Sequence, residues 1–276
     1  MKYADLHLHT IFSDGTYTPA QLISDSLNCG LSAVAITDHD TVEGVAPAVE
    51  IAEKKGIEVI PGIELTAEYE RLEIHILGYL LDYKNQELGD RLKALQKNRV
   101  ERVYKIVEKL KEVGLNLDAD KVFEISRQGS VGRLHIARAM VSAGLVGSIF
   151  EAFRKYIGDK GPAYVLGFKM SPQEAISLIK RSGGIPVLAH PYSLDSDELI
   201  PLFVEYGIMG LEVYYPEHSQ SMVNFYSGLA KKYNLLVTGG SDCHGEAKPE
   251  IRIGSIKIPY ELVEKLKVAR EGLVRP

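Results

Sequence analysis

Two histidines two residues apart open the first apolar run of the chain: Asp5-Leu6-His7-Leu8-His9-Thr10, with Ser13-Asp14-Gly15 just beyond. In a strand, alternate side chains share a face, so Leu6 and Leu8 go to one side while Asp5, His7 and His9 project together on the other. The same arrangement recurs along the sequence. "AVAITDHD" ends near His39, "VIPGIEL" near Glu64, "IHILGY" carries His75, "IPVLAHP" ends near His190, and "LLVTGGSDCHG" ends near Asp242 and His244. Gathered in one cleft, these imidazoles and the carboxylates Asp14, Glu64 and Asp242 need a partner that accepts lone pairs, and a divalent metal cluster is the natural one. Nitrogen and carboxylate oxygen without thiolate suit Mn, Zn or Fe at a catalytic site and disfavour a purely structural zinc. The donors are too many for one ion. Two or three ions, sharing a bridging carboxylate such as Glu64 and a bridging hydroxide, would use them in the manner of phosphoester hydrolysis.

The elements that must position these groups are legible as short apolar runs at 3–9, 33–37, 57–63, 74–79, 185–189, 210–214 and 235–239, with helix-length sequence between most of them. Thr18-Pro19-Ala20-Gln21 and Ser171-Pro172-Gln173-Glu174 each combine an N-cap hydroxyl, Pro at the first helical position and a capping-box amide or acid. Asp40-Thr41-Val42-Glu43 reads as a third cap. Alternating strands and helices imply an α/β fold with a parallel sheet, and about seven such units suggest a barrel whose C-terminal strand ends carry the site. From about 85 to 165 the rhythm breaks. Leu88, Leu92, Leu95, Val103, Ile106, Leu110 and Val113 are spaced as in helices, which predicts a helical insertion at 85–165 between barrel halves at 1–84 and 166–276.

The 276 residues carry a net charge of -5, which argues against binding long duplex nucleic acid by bulk electrostatics and leaves room for a small, local basic pocket. Cys29 and Cys243 form no CxxC pair, no run approaches the length of a membrane span, and the first residues lack a signal-peptide pattern. A cytoplasmic protein without membrane partners is expected, for which a monomer suffices.

The motifs "DLHLHTIFSDG", "AITDHDTVEG", "PGIELTA" followed by His75, "VLAHP" and "GGSDCHG" resemble those of the PHP (polymerase and histidinol phosphatase) superfamily, within it the stand-alone nucleotide phosphatases and short-RNA 5' exonucleases. "SVGRLHIARAMV" and "DKGPAYV" extend the resemblance into the insertion. It implies a distorted (β/α)7 barrel and three divalent metal ions. His7, His9, Glu64 and Asp242 would hold one; Asp14, His39 and His244 the second; Glu64, His75 and His190 the third, with Glu64 bridging. The implied activity is hydrolysis of small nucleotide phosphates, foremost the 3'-phosphate of nucleoside 3',5'-bisphosphates, and of short 5'-phosphorylated oligoribonucleotides. The alternatives are a histidinol-phosphate phosphatase and a non-catalytic, metal-stabilised binding module.

A substrate phosphate needs fixed donors. Ser130, Arg133 and His135, where a helix starts after Gly132, offer backbone N–H groups and a guanidinium fork. Lys160 and Lys169 are further phosphate candidates. Glu64, Asp242 and His218 are the candidates for catalytic roles, His218 as proton donor to the leaving group or as a substrate contact. Tyr214 and Tyr215 are candidates for stacking on a base. Asp38 and Asp40, flanking His39, read as groups that orient or cap rather than ligate.

Overall fold

The structure, a computed structural model, describes residues 1–70, 72–127, 129–167, 170–194 and 196–274. The predicted runs all form strands: β1 (Tyr3–Leu8), β2 (Ala33–Ile36), β3 (Glu58–Tyr69), β4 (Leu72–Tyr79), β5 (Ile185–Leu188), β6 (Gly210–Tyr214) and β7 (Leu236–Gly239). A short β8 (Ile258–Pro259), not foreseen, completes one sheet in the order β7-β6-β5-β4-β3-β2-β1-β8. The sheet curls into a nearly closed barrel. The free edge of β1 is filled twice: Tyr3 and Ala4 pair with β8 at the bottom, while at the top the Asp242 N–H donates to the His7 carbonyl at 2.8 Å and the His9 N–H to the Cys243 carbonyl at 3.1 Å. Gly240 allows that approach, since a Cβ there would stand 2.3 Å from the His7 nitrogen. Asp5 locks the seam by accepting from the N–H groups of Ser241 (2.8 Å) and Gly254 (2.9 Å).

The sheet is not wholly parallel. β3 continues past the predicted end and returns as β4, antiparallel to both β3 and β5. The reason lies in period-two burial: Ile63, Leu65 and Ala67 on one strand and Ile74 and Ile76 on the other share a buried face, so the pair closes as a ribbon without an intervening helix. This reversal brings His75, early in β4, opposite Thr66 and beside the outgoing end of β3.

Helices α1 (Pro19–Asn28) and α2 (Val45–Lys55) pack outside the first strands, where Leu22, Ile23 and Ala48 meet Leu8, Val34 and Ile36. The capping box at Thr18 forms as expected. The third cap does not: α2 starts after Gly44, and Asp40 instead accepts from the Thr66 N–H (2.9 Å) and Arg99 Nε (2.7 Å), its own backbone at φ 50°. Among the described residues no strand lies between β4 and β5. That stretch holds α3 (Gln86–Glu112), α4 (Ala119–Ser126), α5 (Arg133–Ser142) and α6 (Ile149–Ala152). α3 serves two cores, Leu88, Leu92 and Leu95 packing on the barrel and Val103, Ile106 and Leu110 on α4 and α5. α7 (Pro172–Arg181), opened by the predicted Ser171–Glu174 capping box, α8 (Leu199–Glu205), α9 (Gln220–Lys232) and α10 (Glu261–Val274) complete the outer layer. No helix of the described residues is long and apolar enough to cross a membrane.

Candidate active site

The outgoing ends of β1, β2, β3, β5 and β7, and the incoming half of β4, converge at one mouth. Glu64 lies at its centre, 1% exposed. Its Oε2 is 3.1 Å from His7 Nε2, 3.2 Å from His9 Nε2 and 3.3 Å from His39 Nδ1; its Oε1 is 2.9 Å from His75 Nδ1 and 3.2 Å from His190 Nε2. One carboxylate thus faces two groups of imidazoles with different oxygens. Asp242 Oδ1 stands 3.0 Å from His9 Nε2 and 3.4 Å from His7 Nε2, and Asp14 Oδ1 stands 3.3 Å from His244 Nε2. All nine side chains singled out as ligands in the sequence therefore meet. Two of them, His190 (φ 25°) and Asp242 (φ 55°), sit on left-handed backbone, a strain that persists only where the surroundings over-determine it.

The electrostatics match a cation site. Burial works against ionisation of Asp14, Glu64 and Asp242, yet surrounding imidazoles, and Lys248 beside Asp242, hold all three well below the usual carboxylate range. Burial likewise works to lower the pKa values of His9 and His75, but Asp242 and Glu64 raise His9 to about 9, and Glu64 and Glu73 raise His75 to about 10. His39 goes the other way, kept neutral chiefly by burial. His9 Nε2, Asp14 Oδ1 and His39 Nδ1 are buried without a hydrogen-bond partner. Orphaned atoms of this kind, within 4.8 Å of further nitrogen and oxygen donors, fit divalent ions. Three overlapping groups can hold one: His7, His9, Glu64 and Asp242; His9, Asp14, His39 and His244; and His39, Glu64 and His75.

Several supporting residues, Glu212, Glu73 and Lys248 among them, were not singled out in the sequence, and Tyr215 was read there only as a candidate for stacking on a base. Glu212, fully buried on β6, accepts from His7 Nδ1 at 2.9 Å and from the His190 N–H at 2.8 Å. Glu73 contacts His75 Nε2 at 3.3 Å and pairs with Arg102 (2.8 Å) and Arg133 (3.1 Å). Tyr215 (2.8 Å) and Lys248 (3.1 Å) donate to Asp242 Oδ2, turning Oδ1 towards the histidines. Their sequence signal is a lone acid or tyrosine in an apolar strand, which reads equally as a surface position. Asp38 behaves as an orienting group: it accepts from Thr10 Oγ1 and Ser13 Oγ, both at 2.6 Å, and Ser13 Oγ lies 3.5 Å from His9 Nδ1.

The proposed substrate contacts fall on two sides. Ser130, at the foot of α5, is 5% exposed, its Oγ unpartnered while its N–H donates to the Phe12 carbonyl at 2.8 Å. His135 Nδ1 accepts from the Gly132 N–H at 3.0 Å, and burial lowers its pKa to about 4 although Asp14 opposes this. Arg133 is no free fork, being held by Glu73 and by Asp159 at 2.6 Å. Lys160 is exposed, and Lys169 lies outside the described residues. Across the mouth, His218 Nδ1–H donates to the Val213 carbonyl at 2.8 Å, which leaves Nε2 a bare acceptor, buried and unpartnered. Burial lowers its pKa, so the ring is an acceptor in its resting state, which of the two roles read from the sequence favours the substrate contact over the proton donor. Tyr214 is exposed, whereas the Tyr215 ring lies against His190.

The profile of the PHP domain family matches residues 5–160. The chain is 32% identical to the 5'-3' exoribonuclease Rnm of Escherichia coli K12 over 91% of this chain and 87% of that protein. It is equally, 32%, identical to a phosphoribosyl 1,2-cyclic phosphate 1,2-diphosphodiesterase of Eggerthella lenta, over 88% and 94%. A 3',5'-nucleoside bisphosphate phosphatase of Chromobacterium violaceum is 31% identical over 88% of each chain. The crystal structure of a candidate metal-dependent phosphoesterase from Bifidobacterium adolescentis superposes with a TM-score of 0.88 at 33% identity, covering 97% of this chain and 96% of that one. With its histidine and carboxylate clusters able to hold metal ions, the chain belongs to the PHP domain family and is a hydrolase of that family, a metal-dependent phosphoesterase.

Proposed function

We propose that the protein removes the 3'-phosphate of nucleoside 3',5'-bisphosphates and, by the same bond cleavage, trims short 5'-phosphorylated oligoribonucleotides. The observation that carries this reading is the pairing of the Glu64-centred cluster with Ser130 Oγ, buried and unpartnered where α5 begins beside the 10–15 loop. A cluster at the phosphorus and a separate anion seat at a helix N-terminus suit a substrate with two phosphates. The ligand set would hold three ions, one by His7, His9, Glu64 and Asp242, one by Asp14, His39 and His244, and one by Glu64, His75 and His190. Divalent ions held there would lower the pKa of a coordinated water and neutralise the phosphoryl oxygens.

The chain's own residues do the rest. Glu64 spans the cluster with its two oxygens, and Tyr215 and Lys248 hold Asp242 in place. Ser130, the α5 N-terminus, His135 and Arg133 seat the 5'-phosphate, with Arg133 exchanging Asp159 for the ligand. His218 Nε2 accepts from a substrate hydroxyl.

The Eggerthella lenta relative favours a second reading, a phosphoribosyl cyclic phosphate as substrate. Phosphate release or ring opening by metal-loaded protein, measured on adenosine 3',5'-bisphosphate, AMP, histidinol phosphate and phosphoribosyl 1,2-cyclic phosphate at equal concentration, separates the readings. Preference for the bisphosphate supports the proposal. Preference for either of the last two substrates overturns it.

A further inference from the structure

The rim of the mouth divides into halves of different chemistry. Over β1 to β4, α3 and α5 supply cations: Arg99 pairs with Asp40, and Arg102 and Arg133 pair with Glu73. Over β5 and β6 the rim carries rings. Measured between ring centroids, Tyr215 lies 5.3 Å from His190 and 5.6 Å from Tyr192, and Tyr192 lies 5.5 Å from His218. His218 is 5.0 Å from Tyr226, which is 5.3 Å from Phe225. This succession leads from the cluster into an open groove of about 420 Å³ between the segment after β5 and α9, lined by Tyr192, Leu194, Met222, Phe225 and Tyr226. Tyr192 and Phe225 remain 38% and 48% exposed, and neither packs the barrel core.

We propose that this groove is the subsite for the nucleobase of a second nucleotide, the one joined through its 5'-oxygen to the phosphorus at the cluster. The inference rests on the function proposed above. With the 5'-phosphate of the first nucleotide on the cationic half and the scissile phosphorus over the cluster, the second nucleoside of a 5'-phosphorylated dinucleotide falls on the opposite, aromatic half. Exposed aromatic faces stack on any base. The charge there selects a base over a phosphate: Asp197 lines the groove, accepting from the Tyr226 hydroxyl at 3.1 Å. In the reaction, water adds to phosphorus and the bond from phosphorus to the 3'-oxygen of the first nucleotide breaks. That oxygen takes up a proton, and the second nucleotide leaves with a 5'-phosphate.

The test compares kcat/KM of metal-loaded protein on a 5'-phosphorylated dinucleotide and on a nucleoside 3',5'-bisphosphate, for the wild type, Phe225→Ala and Phe225→Tyr. Phe225 is half exposed, so the fold tolerates both changes. Loss of one stacking face should lower the dinucleotide to bisphosphate ratio by about tenfold in Phe225→Ala, through KM, and Phe225→Tyr should restore it. A ratio unchanged in Phe225→Ala, whether both substrates lose activity equally or neither does, overturns the subsite. So does a wild type that hydrolyses the bisphosphate and leaves the dinucleotide intact. A wild type inactive on both substrates overturns the proposed function itself, a result distinguishable from the others.

Discussion

Glu212 Oε1 lies 2.9 Å from His7 Nδ1, and both side chains are fully buried. A carboxylate there favours the proton on Nδ1, which would leave Nε2, facing Glu64 and Asp242, free to ligate an ion. Its second oxygen accepts from the His190 N–H at the left-handed turn that aims that ring. One side chain thus sets two of the expected ligands.

Glu212→Gln keeps the volume but offers one acceptor to two donors. If its oxygen stays on the His190 N–H, its amide meets His7 Nδ1 and forces the proton onto Nε2; if it turns, two donors collide at His190. The expected result is metal affinity roughly ten to a hundred times weaker with the circular dichroism spectrum retained. Unaltered metal binding by calorimetry would reduce Glu212 to a packing residue.

The cluster should bind more than one ion per chain, read by elemental analysis of active protein; a clean single-ion stoichiometry would exclude the three-ion arrangement. Chelation should lower the melting temperature, because an ion that binds only the native state stabilises it by roughly 2.7 kcal/mol at a hundred times its Kd. Glu64→Ala and His190→Ala should each cut turnover by about a thousandfold. Retained wild-type rates would remove them from the site.

Arg133→Ala should weaken kcat/KM for 5'-phosphorylated substrates at least about tenfold more than for an aryl phosphate, since only the former uses a second anion seat. Arg102 stays on Glu73 in that variant. Equal losses on both substrates would mean that Arg133 acts only through Glu73 and His75.

His135 gives a pH signature of stability. Burial lowers its pKa from 6.5 to about 4 in the folded state. Between those values the unfolded chain binds the extra proton, so its contribution is fully present above pH 6.5 and is lost as pH falls towards 4, by at most about 3 kcal/mol. His135→Gln, whose carbonyl still accepts from the Gly132 N–H, should flatten the melting temperature against pH over this window. Parallel curves for the two proteins would assign the acid sensitivity elsewhere.

Most of the barrel and the convergence of the candidate ligands were legible because both rest on local periodicities. Period-two alternation puts His7 and His9 on one face, and short apolar runs ending in His or Asp mark the outgoing ends of parallel strands. The missed features depend on the third dimension. β4 reads as one more parallel strand until its apolar face is matched with that of β3. Asp40 reads as a cap until Arg99, 59 residues on, arrives to pair with it.

The sequence by itself determined which groups could ligate, where the strands lie and that helices interrupt the barrel, since residue type and spacing specify these directly. Only the tertiary structure decided that Glu212 meets His7 across 205 residues, that Glu73 joins Arg133 to His75, and that Arg133 is already paired. It also decided that His218 faces the cleft as an acceptor among tyrosines. A hydrogen bond across the barrel depends on which strands become neighbours and how the sheet closes, and no local spacing encodes that.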